Sequence, residues 1–207
     1  KKDELDKKIL KLEKEYHIKY DTCQIEAIKT AFLKNFLIIT GGPGTGKTTI
    51  IKSIVSMYKD IFHVLEDDIA LLAPTGRASK RIMEATLYKA STIHRFLKWN
   101  KDTNRFQVNE RNKSLVKLVI VDEASMLDTT LFSSLLNGLK YDIKLILVGD
   151  SNQLPSVSPG NVLKDLIDSD IFPVIKLNKL YRQSEKSNII ELAYDINVED
   201  INYKLFN

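Results

Sequence analysis

The spacing of hydrophobic residues changes several times along the chain, and each change marks an element. Leu5, Ile9, Leu12 and Tyr16 step by four, three and four, which predicts an amphipathic helix over residues 4–16 with its lysines outward. Asp21 followed by Gln24 has the form of a capping pair that opens a second helix, with Ile25, Ile28 and Phe32 facing inward. Five continuous apolar runs then read as strands covered on both faces: Asn35–Thr40, Ile69–Ala73, Leu115–Val121, Ile143–Val148 and Val174–Leu177. Between them, Ile50, Ile51, Ile54, Val55 and Tyr58 recur at helical spacing, as do Ala78, Ile82 and Ala85 on the way to Leu87. Glu66-Asp67-Asp68 reads as a solvated acidic turn. Strands alternating with helices predict an α/β fold, a parallel sheet with right-handed crossovers and ligands at the strand C-termini. Residues 98–108 break this rhythm. Turn residues sit in their middle and Trp99, Phe106 and Val108 on their flanks, as in a small inserted β-hairpin or a loop anchored by its tryptophan.

The chemistry begins where the first of these runs ends. Gly41-Gly42-Pro43-Gly44-Thr45-Gly46-Lys47-Thr48-Thr49 fits the phosphate-loop pattern, with an apolar strand before it and a helix after it. Glycines let backbone N–H groups curl around phosphate oxygens, and the helix start adds partial positive charge. Lys47 then suits the β- and γ-phosphates of ATP, and the Thr48 hydroxyl suits Mg²⁺. The run Val119-Ile120-Val121 ends in Asp122-Glu123, a carboxylate for the metal and a second to position or deprotonate the attacking water. Gln153 follows the strand ending at Gly149-Asp150, where a side-chain amide can sense the γ-phosphate. Gln24 suits either a helix cap or a contact to adenine. Thr75 with Arg77, and Thr92 with His94, join hydroxyl and basic groups after apolar stretches; they suit helix caps or the backbone of a nucleic-acid strand.

Charge and length alter this picture little. The 207 residues carry a net charge of +4, which permits a polyanion partner without requiring one. The six lysines among residues 1–14 are balanced by acids on the same helix, as on a solvated face. Cys23 is the single cysteine, which excludes an internal disulfide framework. No apolar run approaches bilayer length, so the expectation is a soluble, cytoplasmic protein without a membrane partner. The opening Lys1-Lys2-Asp3 has no methionine, as expected of a piece cut from something longer.

In order, GGPGTGKTT, APTGRASKR, STIHRFL, VIVDEASMLD, VGDSNQLPSVSPGNVL and LYRQ resemble motifs I to IV of superfamily 1 helicases. The likeness is to the RecD-like branch, the family of the exodeoxyribonuclease V alpha subunit, and runs from about residue 20 to 195. It implies a RecA-like P-loop NTPase fold and ATP-driven movement on single-stranded DNA, usually 5′ to 3′, with other recombination or repair subunits as possible partners. It also implies Gln24 on adenine, Lys47 and Thr48 on phosphates and Mg²⁺, and Asp122 and Glu123 for metal and water. Gln153 would link nucleotide state to DNA, Arg182 would be an arginine finger, and Thr75, Arg77, Thr92 and His94 would lie toward DNA. The hairpin, at about 96–110, resembles the family's strand-separating insertion. Residues 1–172 would then form the first motor domain, and 173–207 the start of an incomplete second one. Ser158 replaces a frequent glycine. Another class of P-loop ATPase, a binding module without unwinding activity and an RNA-translocating relative are the competing readings.

Overall fold

The computed structural model describes residues 2–153 and 160–181. Helices α1 (Lys2–Tyr16) and α2 (Thr22–Leu33) precede β1 (Phe36–Gly41) and α3 (Lys47–Phe62). Then come β2 (Ile69–Ala73), α4 (Gly76–Thr86), β3 (Ala90–Thr92) and the single turn α5 (Ile93–Phe96). The short strands β4 (Trp99–Asn100) and β5 (Arg105–Phe106) lead to β6 (Leu118–Val121), α6 (Thr129–Gly138), β7 (Lys144–Gly149), α7 (Val162–Asp168) and β8 (Val174–Leu177).

Six strands form one sheet in the order β3-β2-β6-β7-β1-β8, and every pairing between them is parallel. Side chains alternate between its faces, as a pleated strand requires. Leu37, Ile39, Leu71, Leu118, Ile120, Ile146 and Val148 join one core with Leu5, Ile9, Leu12, Ile28, Ile50, Ile54 and Ile82 of α1 to α4. Ile38, Leu72, Val119, Val121, Leu145 and Leu147 join the other with Leu97, Val108, Leu131, Leu135 and Leu163. Burial on both faces is why these strands read as unbroken apolar runs. Among the described residues no helix is long and apolar enough to cross a membrane.

Three details differ from the sequence reading. The edge strand β3 was not foreseen: three residues with two hydroxyls carry no period, and pairing with Leu71–Ala73 of β2 makes them a strand. The run expected from Leu115 becomes a strand only at Leu118, where β2 and β7 flank it; Leu115 is exposed. Val174–Leu177, expected at the start of a second domain, lies in the sheet of the first. It pairs with Ile38–Gly41 of β1 as the sixth strand of the same sheet, burying Leu177. Residues 182–207 of the expected second domain, with Arg182, lie outside the described residues, as do residues 154–159 with Ser158.

The insertion is a hairpin. Trp99 pairs with Phe106 and Asn100 with Arg105. Asn100 Oδ1 accepts from the N–H groups of Asp102 and Thr103 to make the turn, and Asn104 takes φ 53°.

Candidate nucleotide site

The loop after β1 is held by its own side chains and by β8. Thr45, fully buried, donates its hydroxyl proton to the Gly42 carbonyl at 2.8 Å. A Cβ on Gly41 would stand 2.6 Å from Thr45 Oγ1 and 2.9 Å from the Leu177 carbonyl oxygen, so only glycine fits there. Gly46 has φ 85°, and a Cβ on it would meet Gln24 Nε2 at 2.4 Å. Gly46 is also the N-cap of α3, with no side-chain cap bond, so the first turn turns its N–H groups toward the loop rather than onto a capping oxygen.

Gln24 takes the capping role that its sequence position allowed and adds a bond to the phosphate loop. Its Oε1 accepts from the Asp21 N–H at 3.2 Å while Asp21 Oδ1 accepts from the Gln24 N–H at 2.8 Å, a complete capping box. Its Nε2 also donates to the Thr45 carbonyl at 3.4 Å, so the cap of α2 is tied to the phosphate loop. Tyr181 closes the same corner. Its N–H donates to the Gly44 carbonyl at 2.8 Å and its hydroxyl to Asp21 Oδ2 at 2.6 Å. Burial, and then Asp21, push the phenol up to about 12, so Tyr181 is the donor. Ile18, Lys19, Gln24, Tyr181 and residues 44–49 line a cleft of about 520 Å³, within the range of ligand sites. A cavity of about 710 Å³ beside Phe36 and Ile143, at the opposite strand ends, has no such loop.

Lys47 Nζ donates to the carbonyls of Gly41 and Gly42, at 2.7 and 2.8 Å. Burial lowers its pKa, against the opposing charges of Asp150, Asp122 and Glu123. Four charged groups thus share the end of β1, β6 and β7. Asp122 follows β6, and its N–H still donates to the Leu72 carbonyl at 2.8 Å, which fixes the turn that follows. Glu123 takes φ 52°, ψ 38°, a left-handed conformation rare outside glycine, and caps the short turn Ala124–Met126. Ser125 in that turn donates its hydroxyl proton to Gln153 Oε1 at 2.8 Å. Thr40 Oγ1, at the end of β1, accepts from the Ser151 N–H at 3.1 Å. The ends of β1, β6 and β7 are therefore joined by hydrogen bonds from Ser151 to Thr40 and from Ser125 to Gln153, with the charges of Lys47, Asp122 and Glu123 acting beside them.

This assembly fits a magnesium nucleotide. Among the described residues there is no group of three His, Cys, Asp or Glu side chains able to hold a metal by themselves. Mg²⁺ in phosphoryl-transfer sites needs less: one or two protein oxygens, with phosphate and water completing the shell. Asp122 and the Thr48 hydroxyl supply such oxygens.

Burial pushes the Asp122 carboxyl up to about 6; the Glu123 N–H, Lys47 and Arg81 oppose this, and the Glu123 charge adds to it. A carboxyl raised in the folded state makes stability fall as pH rises through about 4 to 6 and stay level above that. The shift corresponds to at most about 3 kcal/mol at neutral pH, reduced by the group's partial exposure. Asp122→Asn is therefore expected to raise the melting temperature at pH 7.5 by roughly 3–8 °C, and the gain should vanish near pH 4. Equal melting temperatures at pH 7.5 would show that the carboxylate carries no such cost.

The residues expected to face DNA lie away from this cleft. Thr75 and Thr92 are N-caps: their hydroxyl oxygens accept from the N–H groups of Ala78 and Arg95, both at 3.2 Å. Each hydroxyl keeps its proton for donation. Arg77 is exposed on the first turn of α4. His94 packs with the hairpin, its ring 5.7 Å from Phe106 and 6.3 Å from Trp99. Tyr181, Asp150 and Arg81 at the site were not singled out from sequence. Each had a signal in the motif that contains it: Tyr181 in LYRQ, Asp150 in VGDSNQLPSVSPGNVL and Arg81 at the end of APTGRASKR.

A parallel sheet in which an interior strand feeds a phosphate loop onto a helix, with acids two strands away, defines a P-loop nucleotide-binding domain of RecA-like arrangement. A family model described as an AAA domain matches residues 24–159, more than half of the chain, and the chain belongs to that family. Within it the chain is RecD-like. It is 39% identical over 160 residues to the ATP-dependent RecD2 DNA helicase of Deinococcus radiodurans, covering 77% of this chain and 21% of the relative. It is 36% identical over 185 residues to the RecBCD enzyme subunit RecD of Haemophilus influenzae, covering 79% of this chain and 29% of the relative. The chain thus spans less than a third of these relatives. Its fold is similar to that of Bacteroides Pif1 bound to ssDNA, with a TM-score of 0.62 and 18% identity over 91% of this chain and 48% of that one.

Proposed function

We propose that this chain is the ATP-binding and hydrolysing motor domain of a DNA helicase, gripping single-stranded DNA along α4 and α5, away from the nucleotide cleft. The observation that carries the reading is the meeting of the ends of β1, β6 and β7, bonded through Thr40–Ser151 and Ser125–Gln153, around the charges of Lys47, Asp122 and Glu123. Lys47 leaves the Gly41 and Gly42 carbonyls for the β- and γ-phosphates, and the first turn of α3 adds N–H donors. Thr48 and Asp122 would hold Mg²⁺, which would supply charge to offset that developing on the transferring phosphoryl group. Glu123 orients the attacking water and takes its proton. Gln153, held by Ser125, senses the γ-phosphate, and Gln24 with Tyr181 borders the base. Arg182, one residue beyond Tyr181, is the arginine finger in this reading. The relatives support the class: one is named as ATP-dependent and a DNA helicase, another as a subunit of a larger enzyme. By extension the whole protein moves 5′ to 3′ on DNA and works with repair or recombination subunits.

Magnesium-dependent ATP turnover by this chain, measured with and without single-stranded DNA, tests the reading. Slow turnover is expected, and a chain that neither binds nor hydrolyses ATP would overturn it. DNA binding should weaken with salt and tolerate any sequence. Arg77→Ala should weaken all sequences about equally and reduce the salt slope by about one. Specificity for one duplex sequence would count against a strand-gripping site.

A further inference from the structure

Arg81 lies on the second turn of α4 and is spoken for by neither the phosphate loop nor the DNA-facing residues above. Its Nη1 stands 3.4 Å from Glu123 Oε1. The Arg81 side chain is 68% exposed and that of Glu123 25%. Taken as a surface ion pair with a single long contact, it adds little to stability.

Three features give the contact another meaning. Glu123 is aimed by a left-handed backbone conformation, which takes its side chain off the line of β6 and toward α4. Glu84, three residues along the same helix from Arg81, is paired with Lys80 at 3.8 Å, so Arg81 reaches across to the sheet although an acid lies nearer in sequence. Arg77 precedes Arg81 by four residues, which puts both guanidinium groups on one face of α4, outside the sheet edge. A phosphodiester strand along that face would meet both, and a guanidinium pairs with phosphate as readily as with carboxylate.

We propose that Arg81 is a positioning residue for which Glu123 and a DNA backbone phosphate compete. Without DNA, Arg81 occupies one oxygen of the Glu123 carboxylate and draws it toward α4. A strand on the Arg77–Arg81 face takes the guanidinium and frees the carboxylate for the attacking water, so that DNA contact raises turnover. The proposal rests on the reading of Glu123 and α4 given above.

Competition for one group is reciprocal. If the Glu123 charge withholds Arg81 from DNA, removing that charge must strengthen DNA binding, and only while Arg81 is present. The test is a double-mutant cycle on the affinity of this chain for a poly-dT oligonucleotide at low salt, measured by fluorescence anisotropy without nucleotide. Glu123→Gln should tighten binding about two- to fivefold, the scale of an exposed pair. In the Arg81→Ala background the same change should tighten it by a smaller factor, set by lost long-range repulsion alone. Arg81→Lys should restore part of the difference. In parallel, Arg81→Ala should raise DNA-free kcat for ATP about two- to fivefold with KM unchanged, which a purely structural ion pair would not do. Equal tightening by Glu123→Gln with and without Arg81, or a fall in DNA-free kcat, overturns the proposal and leaves the helicase reading standing. If the wild-type chain binds no single-stranded DNA, both fall together.

Discussion

Glu123→Gln lowers ATP turnover by roughly two to four orders of magnitude, the usual loss when a positioned acid or base is removed. The substitution keeps the shape and one acceptor oxygen of the side chain, so the left-handed turn at φ 52° and the Ala124–Met126 cap that follows it are retained. What disappears is the charge that takes the water's proton. Nucleotide affinity should change little, because the proposed roles give the metal to Thr48 and Asp122 and the phosphates to Lys47. Single-turnover measurements beside an equilibrium titration separate the two steps. A parallel loss of affinity would place Glu123 on the metal instead. Asp122 sets the contrast: its carboxyl is already pushed up to about 6 by burial, so it is the group that gains most from a nearby cation.

The parts of this site that follow from chain-local physics were legible before any fold was known. β1, β6 and β7 are covered by helices on both faces, which makes their sequences continuous and apolar, and the chemistry begins where each run stops. The glycines of the loop could be read because a phosphate cradle needs backbone rather than side chains. Gln24 could not be resolved between a cap and an adenine contact, because both use the same side-chain amide; in the fold it makes the cap and a bond to the loop that no local pattern announced. Tyr181 lies 160 residues from the Asp21 carboxylate it meets, and Arg81 lies 42 from Glu123. No periodicity encodes such pairs; the crossovers of a parallel sheet create them. The place of β8 in this sheet was not legible for a related reason. A short strand carries the same pattern in either domain, and the partner that claims it, Ile38–Gly41 of β1, was 136 residues earlier for the Ile38–Val174 pair.

Lys47→Ala should abolish measurable ATP turnover and leave the fold intact. The Nζ that now bridges the Gly41 and Gly42 carbonyls is the cation closest to the start of α3, and burial has already lowered its pKa. Asp150, Asp122 and Glu123 all act on it, so its removal leaves three carboxylates facing an incoming triphosphate with less to offset them. Each charge-assisted hydrogen bond lost is worth roughly 1.5–3 kcal/mol, so affinity should drop by at least ten- to a hundredfold. The fold does not depend on the ammonium group. The loop keeps its bonds from Thr45 to Gly42, from Gln24 to Thr45 and from Tyr181 to Gly44, and the helix core of Ile50, Ile51 and Ile54 lies on the far side. Circular dichroism should therefore superimpose on that of the wild type while a titration with a fluorescent ATP analogue loses its saturation. Unchanged affinity with unchanged turnover would remove the phosphate loop from its assigned role, and with it the basis for reading Asp122, Glu123 and Gln153 as parts of one catalytic assembly.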